Sequence, residues 1–189
     1  MSVLYNTVEM DSKIVVLHAR TRIDRAVKRI AQQIERDTVP GSMLCLVPVL
    51  TGSIVFCSQL VQHLKCPLRI FPVMMTSYLG TSTTAITMPK LLCPLPSITG
   101  QDVVIVDDIV ETGRQLRSLI GAFKQAKAAR VRVATLVTKW HEEREMRGPD
   151  IDYSALTAAR NQFVIGYGMD FNGLYRNLPY IGYIPQSSH

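Results

Sequence analysis

Nothing in this chain of 189 residues approaches the roughly 20 consecutive apolar residues that a membrane-spanning helix needs. The opening MSVLYNTVEMDSK also lacks the charged-then-apolar order of a secretory signal, so a cytoplasmic protein with no membrane partner is expected. Cysteine is scarce: Cys45, Cys57, Cys66 and Cys93 show no CxxC spacing, and His18, His63, His141 and His189 stand far apart. That argues against a zinc cluster and a disulfide framework, and reads the cysteines as reduced, mostly buried thiols. No internal repeat occurs. The net charge is +6, yet Lys and Arg are scattered and form no dense basic block. Charge alone therefore leaves nucleic acid and a small polyanion both open as partners.

What the chain does have is enough apolar residue, 47%, for one compact domain with a sizeable core. Ile23, Ala26, Val27, Ile30 and Ile34 recur at helical spacing among charged residues, which predicts an amphipathic helix over about residues 11–37. MLCLVPVL reads as a buried strand, GSIVFCSQLVQHL as a helix, and LRIFPVMMTSY as a second strand that Pro72 pushes towards an edge. From Leu79 to Gly100 the chain is rich in Thr, Ser and Pro and too long for an ordinary connection, as lids and disordered segments are. DVVIVDD then reads as a strand, GRQLRSLIGAFKQAK as a helix and RVRVATLVTK as a strand. After a polar segment from Trp140 to Arg160, NQFVIGYG and PYIGYIP read as two short strands. Strands alternating with helices imply an α/β fold, a mainly parallel central sheet with helices on both faces and ligands at the carboxyl ends of its strands.

The segment VVIVDDIVETGRQL, Val103–Leu116, places two acids after the most apolar strand, then a third acid and a Thr-Gly pair. A turn of this kind before a helix exposes backbone amides at the positive end of the helix dipole, where phosphate binds. Adjacent carboxylates repel phosphate, but they suit vicinal hydroxyls and a hydrated Mg²⁺. Together these describe a site for a phosphorylated sugar. The bland alternative is that Asp107 and Asp108 merely end a strand while Glu111 and Thr112 cap a helix; it leaves two of the three acids without a task.

VVIVDDIVETGRQL resembles the phosphoribosyl diphosphate (PRPP) motif of the type I phosphoribosyltransferases. VLTGSIVF, MMTSYLGTS, TLVTK and QFVIGYGMDFNGLYR extend the resemblance over most of the chain, towards the hypoxanthine-guanine phosphoribosyltransferases. The resemblance implies a single domain over residues 1–189, with a small hood from the N- and C-terminal segments and a flexible loop at about 77–100. It implies Mg²⁺-dependent transfer of phosphoribosyl from PRPP to a 6-oxopurine base, in a homodimer or homotetramer, with no nucleic-acid partner. By the same resemblance, Asp107 and Asp108 hold the ribose hydroxyls and a metal ion, and Glu111, Thr112, Gly113, Arg114 and Gln115 wrap the 5-phosphate. Thr51, Gly52 and Arg176 meet pyrophosphate. Lys139 donates to the purine 6-oxygen, Phe163 stacks on the base, and the Val164 carbonyl reads its edge. Asp170 reaches a second Mg²⁺, and Ser77 and Tyr78 start the closing loop. Two positions depart from the family pattern: Thr51 stands where Lys is usual, and Glu111, the implied catalytic base at purine N7, where Asp is usual. Two other classes stay open, an RNA-binding regulatory relative and a nucleotide-binding relative without catalysis. The preference among hypoxanthine, guanine and xanthine is not legible.

Overall fold

A computed structural model describes residues 14–75, 89–91, 98–111, 113–140 and 151–185. Its chain order is β1 (Val15–His18), α1 (Arg20–Asp37), β2 (Leu44–Leu50), α2 (Ile54–Val61), β3 (Leu68–Ile70), β4 (Val73–Met75), β5 (Pro89–Leu91), β6 (Asp102–Val110), α3 (Arg114–Gln125), β7 (Arg130–Trp140), β8 (Tyr153–Ala159), β9 (Phe163–Ile165) and β10 (Ile181–Ile184). The main sheet has the order β5-β4-β2-β6-β7-β8, with β3 also paired to β2. Every pairing in it is parallel except β4 with β5.

The apolar runs of β2 and β6 are unbroken because both faces of these strands are covered. Leu44 and Leu46 of β2, with Val104 and Val106 of β6, pack into a core with Ile23, Ile30 and Ile34 of α1 and Phe56 and Leu60 of α2. The alternate residues Cys45, Val47, Val103 and Ile105 pack on the opposite face with Leu116, Leu119 and Phe123 of α3. A period-two backbone between two helical layers requires apolar residues at successive positions.

A separate three-stranded sheet, β1-β10-β9, is antiparallel and joins the two ends of the described chain. It corrects the helix expected over 11–37, which begins only at Arg20. Val15–His18 is instead a strand, Val16 pairing with Gly182. Ile14 to Leu17 is an apolar run compatible with either state, and a partner more than 160 positions away in the chain decided it. Two further corrections follow from long-range pairing. LRIFPVMMTSY is broken into β3 and β4 at Phe71-Pro72. The supposedly polar segment from Trp140 to Arg160 contains β8, which lies parallel to β7 and buries Tyr153, Ala155, Leu156 and Ala158. Three of those four are Tyr or Ala, so their apolar periodicity is weak.

Strand order reverses beside β2: β3 and β4 lie on one side of it and β6 on the other. In open parallel sheets the crevice at such a switch point, past the carboxyl ends of the strands, is where ligands bind.

Candidate active site

At that switch point the loop after β2 meets the far part of β6. β2 and β6 pair only as far as Pro48 with Val106, while β6 continues beside β7 to Val110 opposite Thr138. Asp107 and Asp108 are therefore not at the end of the strand, where the sequence put them. They sit within it, at the step where its β2 neighbour has turned away. Asp107 Oδ1 accepts a hydrogen bond from the Asp108 amide at 3.1 Å. Burial, then the neighbouring Asp108 charge, pushes the Asp107 carboxyl well above its ordinary range. Burial raises Asp108 as well, against hydrogen bonds from Asp107 and backbone amides and the nearby Arg176 charge. Two adjacent acids thus share a partly desolvated position with too little positive charge around them.

Thr51 and Gly52 come up against this pair. The Leu50–Thr51 peptide is cis, and a Cβ at Gly52 would collide with the Asp108 carboxylate. Only glycine lets the loop backbone come so near the acid. A second glycine continues the stack: a Cβ on Gly168, whose φ of 103° lies in the left-handed region, would strike the Gly52 carbonyl. Gly168 lies in the turn after β9, and its carbonyl accepts a hydrogen bond from Arg176 Nη1 at 2.6 Å. Arg176 Nη2 also pairs with Asp170 Oδ1 at 2.7 Å, and Asp170 Oδ2 accepts from the Gly173 amide at 2.7 Å. Thr51, Gly52, Asp108, Asp170 and Arg176, far apart in sequence, are so gathered into one locus. Gly168 was not singled out from the sequence, although the Gly-x-Gly of GYGMD was a usable signal.

This locus is tied to α1 through Tyr167. Its hydroxyl donates to Gln59 Oε1, and Gln59 Nε2 donates to Asp24 Oδ1 at 2.5 Å. Asp24 also pairs with Arg20 at 2.8 Å, and the Arg20 guanidinium lies 5.7 Å from the centre of the Tyr167 ring. Tyr167, Asn172 and Tyr175 all adopt positive φ. Such residues persist only where the surroundings hold them, and they concentrate at functional sites.

One level further along β6 and β7 is a second locus. The last β6–β7 pair is Val110 with Thr138, and Glu111 follows just past the end of β6 while β7 runs on through Lys139. Their side chains form an ion pair, with Lys139 largely buried and Glu111 half exposed. Glu111 therefore does not cap the next helix. Gly113, with φ 65°, is the N-cap residue of α3, and among the described residues no side chain caps that end. Gln115 is exposed on its first turn. Arg114 begins the helix, while Thr112, Ser77 and Tyr78 lie outside the described residues.

On the three-stranded sheet, Phe163 is 44% exposed, unusual for a ring in an apolar run. Phe171 meets it edge to face, with ring centres 5.3 Å apart. Val164 is buried and pairs with Tyr183 of β10. Phe163 and Phe171 flank the turn that carries Gly168 and Asp170, so the exposed ring and the Arg176 locus belong to one loop system.

Among the described residues no group of three His, Cys, Asp or Glu side chains converges as a metal cage. The chemistry of the Asp107-Asp108 pair does suit a hydrated divalent cation completed by substrate oxygens, because such a cation neutralises two uncompensated carboxylates without needing a protein cage.

Residues 16–172 match the family described as phosphoribosyl transferase domain. The hypoxanthine-guanine phosphoribosyltransferase of Streptococcus pneumoniae is 35% identical over 171 residues, covering 90% of this chain and 93% of that one. A crystal structure of a hypoxanthine phosphoribosyltransferase from Staphylococcus aureus superposes with a TM-score of 0.82 at 31% identity over 96% of each chain. The hypoxanthine phosphoribosyltransferase of Trypanosoma cruzi, solved in a study of its C-terminal region, oligomeric state and activity, gives 0.79 at 28% identity over 90% of this chain and 91% of that one. With its parallel sheet, its acid pair at the switch point and these relatives, the chain belongs to the phosphoribosyltransferase family, among the hypoxanthine-guanine phosphoribosyltransferases.

Proposed function

We propose that this protein transfers the phosphoribosyl group of PRPP to a 6-oxopurine base, hypoxanthine or guanine, releasing pyrophosphate and the nucleoside 5-monophosphate. The observation that carries the reading is the half-buried Asp107-Asp108 pair between a glycine loop and a helix N-terminus. Carboxylates there accept hydrogen bonds from ribose hydroxyls, and the amides opening α3 receive the 5-phosphate. Mg²⁺, when bound with PRPP at Asp107 and Asp108, supplies charge neutralisation of the leaving pyrophosphate; Asp170 is the proposed contact of a second ion. Arg176 lies where a cation would face the pyrophosphate, and the Thr51-Gly52 backbone acts there without the Lys usual at position 51.

For the base, Lys139 is a donor suited to an oxygen at C6, and Glu111 beside it is an acceptor suited to a proton at N7. An exocyclic amine at C6 would turn donors towards the Lys139 ammonium, so adenine is disfavoured. Phe163 offers an exposed ring for stacking, and the backbone after it offers the edge contact assigned to Val164. The three-stranded sheet is the proposed hood. The closing loop that excludes water is proposed within residues 77–100, opening at Ser77 and Tyr78, with β5 (Pro89–Leu91) tying part of that stretch to the main sheet. A homodimer or homotetramer in the cytoplasm is the proposed state, in keeping with exposed Val39, Met43 and Ile70 near the amino end of the sheet. No described helix is long and apolar enough to cross a membrane.

The test is PRPP consumption and nucleotide formation with hypoxanthine, guanine, xanthine, adenine and uracil in turn, with and without Mg²⁺. Metal-dependent turnover of the 6-oxopurines, with adenine and uracil inert, is the expected result. Turnover of adenine at a comparable rate defeats the assignment of the base pocket.

A further inference from the structure

The position that Lys139 offers to a purine oxygen is already taken. Its ammonium is paired with the Glu111 carboxylate, and the parallel pairing of β6 and β7 up to Val110 and Thr138 brings the two residues together. The Lys139 side chain is 10% exposed, so its head group has little freedom to reach a second partner while keeping the first; Glu111 is 51% exposed. We propose that Glu111 competes with the 6-oxopurine for Lys139, so that base binding is an exchange in which the carboxylate leaves the ammonium and moves onto the N7 proton.

This rests on the assignment of the base to Lys139. A 6-oxopurine presents its C6 oxygen and its N7 proton on one edge, an acceptor for Lys139 beside a donor for Glu111. A neutral base must therefore break an ion pair to enter, and it then restores both partners, Lys139 on oxygen and Glu111 on the N7 proton. A base with an amine at C6 breaks the pair and leaves the ammonium unsatisfied, so it recovers none of the cost. The resting pair thereby weakens affinity for the base, because every base that reaches Lys139 meets the cost of opening it.

Two signatures distinguish this from a merely structural contact. Salt screens a half-exposed ion pair but hardly touches a neutral base. The KM for hypoxanthine at saturating PRPP and Mg²⁺ should consequently fall as KCl is raised, whereas the KM for PRPP, a polyanion, rises. Glu111→Gln keeps an oxygen for the N7 proton and removes the charge that holds Lys139. Its KM for hypoxanthine should drop by about twofold to fivefold, the worth of one partly exposed ion pair, even as kcat falls. In that variant the salt dependence of the hypoxanthine KM should vanish.

The experiment is a steady-state matrix of hypoxanthine against KCl for the wild type and Glu111→Gln, with melting temperature and PRPP titration as controls of folding. A falling KM with salt in the wild type and a flat, lower one in the variant support the exchange. A wild-type KM that is indifferent to salt, or a variant KM equal to or above the wild type, overturns it. The wild-type salt series needs no variant to fold. Failure of the wild type to turn over hypoxanthine at all, with PRPP still bound, removes the base assignment itself.

Discussion

The two ends of the central sheet carry comparable charge and treat it in opposite ways. At the amino end, Arg132 is almost fully buried and every side of its guanidinium is used: Nη2 and Nε reach Asp102 at 2.5 and 3.2 Å, Nη1 donates to the Tyr153 hydroxyl at 2.6 Å, and Nη2 donates to Thr38 at 3.2 Å. The Tyr153 hydroxyl passes the chain on to Asp37 at 2.7 Å, and burial together with that hydrogen bond raises its phenol to about 12. The network ties α1, β6, β7 and β8 together. At the carboxyl end, Asp107 and Asp108 are crowded and raised, with Arg176 the nearest compensation and itself committed to Asp170 and Gly168. One end is closed and serves the fold. The other is left wanting a cation and hydroxyls, which is how a site stores affinity for a ligand that the protein alone cannot satisfy.

The largest test of this contrast removes the wanting end. Replacing Asp107 and Asp108 together by Asn should lower phosphoribosyl transfer by about 10³-fold or more, since a single preorganised electrostatic contact is typically about 10²- to 10³-fold. The fold should survive, read as an unchanged far-ultraviolet spectrum, and transfer at the wild-type rate sinks the site.

Removing the closed end should do the reverse. Arg132→Ala leaves Asp102 buried without its partner, so stability should drop by about 3–5 kcal/mol in denaturant unfolding. Turnover per folded molecule should stay near wild type, and a selective loss of turnover would show that the two ends are coupled.

A smaller effect sits between the ends, at the base. Lys139→Ala should weaken hypoxanthine by about 1–3 kcal/mol, the range for a substrate acceptor left unmatched, with PRPP affinity nearly unchanged. Equal losses for both substrates would mean general damage to the locus.

The smallest effect concerns stability at the ligand end. A carboxyl whose folded-state pKa is raised contributes stability fully present below its unfolded value and lost as pH rises through the folded one. The free protein is therefore less stable at neutral pH than the same protein with an uncharged residue there. Asp107→Asn should raise the melting temperature of the ligand-free protein at pH 7, by about 2–4 °C for each ~1 kcal/mol relieved, and the gain should shrink towards pH 4. A lower melting temperature across that range would show that the acid pair stabilises the resting protein instead.

Much of this was legible before any coordinates, and for definite reasons. Continuous apolar strands such as LCLVPV and VVIV announce a sheet covered on both faces, and VVIVDDIVETGRQL carries its chemistry in one local stretch. Local sequence accordingly determined the layer architecture, the helix of α3 and the acid pair with its glycine turn. Pairing between distant segments was another matter. That Val15–His18 joins Ile181–Ile184, or that YSALTAA is a strand, depends on partners whose apolar signals are short or weak, and local propensity does not reach that far. The meeting of Gly52, Gly168 and Arg176 depends on a turn some 116 residues away coming within backbone contact of the β2 loop. The Glu111–Lys139 pair depends on strand register, which sequence patterns leave free in strands buried on both sides because a slip there exposes no apolar face. The sequence alone thus named the groups that can do chemistry; tertiary structure decided which of them are already bound to one another, since that is settled by distance across the sheet rather than along the chain.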